Sequence, residues 1–303
     1  MGTLVSRSTA LAQTPAQKPV TETRSTSKWQ WSDDGWKRRV EISGKAEFTE
    51  DYSDVTSLSE DGALTLEEDH NGESRRLEVR RGPNGGLLRK YFVNGEARVL
   101  DEPGRKWIAG LLLMAVRQGA IDVDKRVETI LRQRGVGGML EEIASISGDY
   151  GKRLYLQALL KTENLSRADR QRALRAMGAQ ISSDYEKANI LKNTAAAFLD
   201  DSILRDVFFQ IIATIKSDYE RRGILSTLLK RKNLGAPVLS QMLESVSTFS
   251  SDYEKATFLL EASGMYTGDA QLRSAFLKTV ETIKSDHERG RVLNVLLKNK
   301  QIG

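Results

Sequence analysis

Cysteine is absent from this 303-residue chain, histidine occurs only at His70 and His287, and only five prolines are present. Without cysteine there is no disulfide scaffold and no thiolate metal site, and two histidines leave little material for a zinc site or a histidine-based triad. Long hydrophobic runs are missing as well. The longest strongly apolar stretch, Ile108 to Val116, is nine residues, against the roughly 20 that a membrane-spanning helix needs, so it reads as the buried face of a helix. No Gly-x-Ser-x-Gly elbow, no phosphate loop ending in Gly-Lys-Ser/Thr and no His-Glu-x-x-His pair occurs. Gly135-Val136-Gly137-Gly138 joins two helical patterns and follows no strand, which makes it a poor nucleotide loop. Asp122, Asp124 and Glu128 read as helix-capping residues rather than metal ligands. The expectation is a protein that is not an enzyme and holds neither a cofactor nor a metal.

With 39% hydrophobic and 29% charged residues, the chain can bury a core, and its length has room for about two domains. Residues 1–36 read as a flexible linker or as the remnant of a processed export signal. They are rich in Thr, Ser, Ala, Gln and Pro, and Ala10-Leu11-Ala12-Gln13 has the small-x-small pattern of a signal-peptidase site, with no convincing apolar core ahead of it. Export is one reading and chance the other.

Residues 37–100 change to short alternating segments, Arg39-Val40-Glu41-Ile42, Ala63-Leu64-Thr65-Leu66, Arg76-Leu77-Glu78-Val79 and Leu87 to Val93. Asp61-Gly62, Asn71-Gly72, Pro83-Asn84-Gly85-Gly86 and Asn94-Gly95 separate them, and Asn-Gly and Asp-Gly supply the positive φ that tight hairpins demand. An antiparallel β-meander follows. Trp29, Trp31 and Trp36 lie just before it and are expected to pack on the sheet; exposed, they would form a ligand or partner site.

From Asp149 onward a signature recurs, Asp149-Tyr150-Gly151-Lys152, Asp184-Tyr185-Glu186-Lys187, Asp218-Tyr219-Glu220-Arg221, Asp252-Tyr253-Glu254-Lys255 and Asp286-His287-Glu288-Arg289, at spacings of 35, 34, 34 and 34 residues. Five copies in register define a repeat. Ser183, Ser217, Ser251 and Ser285 precede the Asp, so Ser-Asp-x-Glu reads as a capping box, with the aspartate favouring the positive end of the helix dipole. The first copy has Gly148 and Gly151 in the two capping positions and should start more loosely. A second helix follows in the next three copies, with the apolar stripes Leu204, Phe208, Ile212, Ile215; Val238, Met242, Val246, Phe249; and Leu272, Phe276, Val280, Ile283. Two such helices cannot bury both faces alone, so neighbouring copies must stack.

The second and fourth copies share 14 of 34 residues, whereas the second and third share 7, so the underlying unit is a duplicated 68-residue pair. The repeat has the tetratricopeptide length without that family's pattern, and the HEAT type of α-solenoid fits better. Residues 101–148 are expected as a helical junction or cap of three helices. The fold class is therefore α+β, mainly α: a small antiparallel β domain (37–100) followed by an α-solenoid of helical hairpins (149–303).

Two surfaces are candidates for function. Tyr150, Tyr185, Tyr219, Tyr253 and His287 should form a ladder along one edge that grips an extended peptide, although recurrence in every copy points instead to tyrosines packed on the preceding repeat. The last copy has no second helix, so part of the apolar set Val292, Leu293, Leu296 and Leu297 is a candidate end-on interface for a partner or a second copy of the chain. From Asp149 on there are 24 Lys/Arg and 18 Asp/Glu, a balance of +6. That is weak for a nucleic-acid binder, which usually carries a basic stripe. The expected function is a protein- or peptide-binding scaffold using the solenoid's inner surface, with nucleic-acid binding as the alternative.

Phe48-Thr49-Glu50-Asp51-Tyr52-Ser53-Asp54-Val55, Arg76-Leu77-Glu78-Val79 and Tyr91-Phe92-Val93-Asn94-Gly95, followed by Trp107 and joined to the Ser-Asp-Tyr-Glu repeats, resemble the soluble region of bacterial membrane proteins related to antibiotic-sensor metallopeptidases. The resemblance covers about Lys37 to the end. It implies a bacterial sensing or interaction segment in the periplasm or at the cell exterior, with a cytoplasmic location as the alternative. The peptidase motif and membrane helices are absent from this chain, so protease activity does not carry over.

Overall fold

Asp34-Gly35, Asn71-Gly72 and Asn94-Gly95 each hold two successive positive φ angles, 44° and 79°, 51° and 87°, 50° and 81°. Such pairs make the tight turns whose twist matches that of antiparallel strands. They shape the first part of the computed structural model, which describes residues 26–231, 234–266 and 269–298. Ala10 to Gln13 lie outside the described residues. The chain divides into two compact units, Met1–Asp122 and Val123–Gly303.

In the first unit, β1 (Thr26–Asp33), β2 (Trp36–Ser43), β5 (Ala63–His70), β6 (Glu73–Arg81), β7 (Leu87–Val93) and β8 (Glu96–Arg98) form an antiparallel sheet in that order. The two-stranded ribbon β3 (Ala46–Phe48) and β4 (Val55–Leu58) is inserted between β2 and β5. The sheet starts earlier than expected, because β1 falls inside the segment read as linker. Strand alternation sends Val40, Ile42, Leu64, Leu66, Leu77, Val79 and Tyr91 to one face, where helix α1 (Glu102–Gly119) covers them with Trp107, Ile108, Leu111, Leu112, Ala115 and Val116. The apolar run that is too short for a membrane is thus a sheet-covering stripe. Among the described residues, no helix is long and apolar enough to cross a membrane.

Asp101 starts α1 by accepting a hydrogen bond from the Gly104 amide at 2.8 Å. Trp107 Nε1 donates to Glu68 at 3.0 Å, and Arg38 bonds the same carboxylate at 2.7 Å. The tryptophans pack, as expected. Trp29 and Trp31 lie against the core, and Trp36 stacks on His70 with ring centroids 3.8 Å apart. Gly119 makes room for Trp29, whose Nε1 would sit 2.6 Å from any Cβ there.

The expected junction 101–148 is not one element, since α1 belongs to the first unit and α2 (Val123–Ala144) to the second. Gly135, with φ 62°, breaks α2 into two helical segments, so the three expected helices are present. Arg126 and Glu142, one on each side of that break and both buried, pair at 2.5 Å.

The rest of the second unit is two helical layers. Helices α3 (Asp149–Lys161), α5 (Asp184–Thr194), α7 (Asp218–Leu229), α9 (Asp252–Ala262) and α11 (Asp286–Lys298) each begin at a signature and stack on one another. Helices α4 (Arg167–Gln180), α6 (Ser202–Ala213), α8 (Ala236–Ser247) and α10 (Ala270–Glu281) stack as the second layer. Every residue of the three apolar stripes is buried, and each such aliphatic or aromatic side chain contributes about 1.5–3 kcal/mol.

The 68-residue pairing is visible in three dimensions. Among the described residues, only α5 and α9 run into a short 3₁₀ turn, at Ala195–Ala197 and Ser263–Met265. Phe198 and Tyr266 then occupy equivalent buried places, packed on Phe208 and Phe276.

Candidate interaction surface

The signature residues do separate jobs, and most of them join one repeat to the next. Ser183, Ser217, Ser251 and Ser285 each accept from the amide three residues on, at 3.3 Å. This is the expected half of a capping box. The reciprocal half is made differently. The amide of each capping serine is taken by the aspartate of the preceding copy: Asp149 accepts from Ser182 and Ser183, Asp184 from Lys216 and Ser217, Asp218 from Ser250 and Ser251, and Asp252 from Lys284 and Ser285, at 2.7–3.0 Å. The aspartate is a clasp onto the next repeat. Burial works to raise the Asp218 carboxyl, yet the bonds from the Ser250 hydroxyl and the two amides, with the Arg221 guanidinium, outweigh it and hold the group below the ordinary aspartate value. Asp252 is lowered in the same way by the Ser285 and Lys284 amides and by Lys255.

The glutamate, freed from the capping box, forms ion pairs. Glu186 pairs with Arg153 and Glu254 with Arg222, while Glu220 pairs with Lys192 at 2.9 Å. In the last copy Glu288 pairs with Arg291 at 2.5 Å. The basic residue that closes the signature reaches the carbonyl end of its own repeat's second helix. Lys152 donates to the Gln180 carbonyl at 3.0 Å, Arg221 to Ser245 at 3.2 Å and Lys255 to Thr282 at 2.9 Å.

Tyrosine is the one signature residue outside this joint. Tyr150, Tyr185, Tyr219 and Tyr253 are 50%, 60%, 62% and 56% exposed, and the His287 side chain is 79% exposed. The expectation that each ring packs on the preceding repeat is overturned. The second position of each helix stays largely exposed, while the residues on either side of it are drawn into the clasp and the ion pair. Nor is any hydrogen bond made by the four hydroxyls to another described residue.

Three of the four rings are nonetheless held in place. Arg153 lies over Tyr150 at 5.0 Å, Arg222 over Tyr219 at 5.6 Å and Arg291 over Tyr253 at 5.7 Å, measured to the ring centroid. These are the same guanidinium groups that pair with Glu186, Glu254 and Glu288. Ring, guanidinium and carboxylate therefore form a three-part stack, in which the cation supports the ring and the carboxylate cancels its charge. The arginines were missed as ladder residues, although the Tyr-x-x-Arg spacing of Tyr150 with Arg153 and Tyr219 with Arg222 puts each pair on one helix face. The ladder is a row of aromatic posts on an electrically balanced base.

At the end of the array Val292 and Leu296 are buried, whereas Leu293 is half-buried and Leu297 is 64% exposed. Only the last two remain as candidates for an end-on contact. Asp286, the fifth clasp residue, has a 90% exposed side chain that bonds Arg289.

No family model, curated protein or solved structure matches this chain.

Proposed function

We propose that this chain is a non-catalytic scaffold that binds protein or peptide along the tyrosine ladder of its first helical layer. The observation that carries the reading is the exposure of the tyrosine in every full copy, while the other signature residues are occupied in the joint. Aromatic rings exposed in a row, three of the four tyrosines held by neighbouring guanidinium groups, lose little side-chain freedom on binding, which favours recognition. The alternative, nucleic acid, is weakened by the same geometry. The arginines and the lysine beside the ladder already pair with glutamates, so a phosphate chain would meet four carboxylates. A bacterial extracytoplasmic sensing segment, as the family resemblance implies, is compatible with this role. Leu293 and Leu297 provide a second contact, to another copy or a partner.

The test is selection of a random peptide library on the full chain and on a variant with Tyr150, Tyr185, Tyr219 and Tyr253 all changed to Ser. Peptides enriched by the first and not by the second support the reading. Selected peptides that bind both equally place recognition elsewhere.

A further inference from the structure

The geometry points to a specific ligand class, and we propose that the ladder takes a polyproline-II segment lying along the stacking direction, with a proline at every third position. This rests on the tyrosine ladder being the binding surface.

The tyrosines recur once per stacked helix at one helical position, and packed helices lie about 8–10 Å apart. A ligand that meets every post with the same chemistry must repeat its own face at that interval. A polyproline-II helix has three residues per turn and a rise of about 3.1 Å, so one face returns every ~9 Å. A β-strand returns the same face every second residue, about 6.7 Å, or every fourth, about 13 Å, and misses the step in both cases. An α-helix returns near 5.4 Å and falls between posts.

Chemistry selects the same ligand. Proline rings are apolar, stack on aromatic faces and bring a backbone already ordered in the bound form. The ladder offers exposed aromatic faces at Tyr150, Tyr185, Tyr219 and Tyr253. Its flanking charges are internally balanced, through Arg153 with Glu186, Lys192 with Glu220 and Arg222 with Glu254. Such a surface favours an uncharged, apolar and extended partner over an acidic one. The free phenol hydroxyls can donate to the ligand carbonyls, which a polyproline-II backbone leaves unsatisfied. With the exposed His287 ring as the fifth post, the ladder spans four steps, about 36 Å, and about twelve polyproline-II residues cover that length.

The test uses the full chain and three fluorescein-labelled peptides of about twelve residues, read by fluorescence anisotropy. One is all proline. The second repeats Pro-Gln-Gln. The third has the composition of the second, scrambled so that no two prolines lie three or six positions apart. The inference expects the first two to bind and the scrambled peptide to bind at least about tenfold more weakly. It also expects Tyr185→Ser with Tyr219→Ser to weaken the first two about tenfold. Equal binding of the repeating and scrambled peptides overturns the inference. So does unchanged affinity in the double variant with an unchanged melting temperature. If the library selection yields ladder-dependent peptides lacking a three-residue proline period, the ligand class fails and the binding surface stands. If no selected peptide depends on the ladder, both fail. Ladder-dependent binding of a single-stranded oligonucleotide, with no proline peptide bound, overturns both as well.

Discussion

Changing Asp218 to Ala should weaken the second unit far more than the same change at Asp286, although both occupy the same place in the signature. Asp218 accepts from the Ser250 amide at 2.7 Å, the Ser251 amide at 2.8 Å and the Ser250 hydroxyl at 2.7 Å. It also faces the buried Arg221 at 3.3 Å. Hydrogen bonds to a charged group carry about 1.5–3 kcal/mol each, and removing one partner of a buried pair strands the other. Arg221 keeps the Ser245 carbonyl and the Thr248 hydroxyl, which puts the expected cost at the low end, about 3 kcal/mol. For a unit of this size that lowers the melting temperature by roughly 6–12 °C. Asp286 has no following repeat among the described residues, and its exposed pair with Arg289 is worth at most about 1 kcal/mol. Thermal and urea unfolding of the two variants provide the comparison. Equal losses, or a loss below about 0.5 kcal/mol for Asp218→Ala, would refute the clasp.

The clasp also predicts a pH dependence. The folded-state pKa values of Asp218 and Asp252 are depressed, so their contribution is complete above the unfolded aspartate value near 3.9 and is lost as pH falls through the lower folded values. Melting curves recorded downward from pH 5 should show a steeper acid loss for the unmodified chain than for one carrying Asp218→Asn and Asp252→Asn. Tyr266→Phe should leave stability unchanged or raise it by about 1 kcal/mol, because the buried hydroxyl has no partner among the described residues and burial raises its pKa. Phe198 fills the equivalent place, and a loss above about 1 kcal/mol in urea would show that the hydroxyl is bonded. Gly119→Ala should cost about 1–3 kcal/mol by pushing Trp29 aside, read as a shift in tryptophan emission; an unchanged spectrum would count against that packing.

Several elements were legible because their causes are local. The serine caps, apolar stripes and Asn-Gly turns are fixed by residues within a few positions of one another, and the 68-residue period follows from simple identity between copies. Elements whose partners are remote in sequence were not. Thr26–Asp33 pairs with β2 along its whole length, but its Ser, Thr and Gln content looks like linker when read alone. The stripe on α1 was recognised as buried, yet nothing within the helix says that a sheet covers it. The aspartate clasp joins residues about 33 positions apart, through backbone amides that leave no side-chain pattern. The tyrosine was misjudged for the same reason. Recurrence in every copy suggested a folding role, but that role belongs to its neighbours on both sides.

The division of labour within the signature is the central claim, and unfolding of a chain with Tyr185→Ser and Tyr219→Ser tests it most directly. Exposed rings should cost no more than about 1 kcal/mol in total when removed, leaving the melting temperature within about 4 °C of the unmodified chain. A loss matching the roughly 3 kcal/mol expected of Asp218→Ala would mean that the tyrosines hold the repeats together, and the ladder would no longer be free to bind a partner.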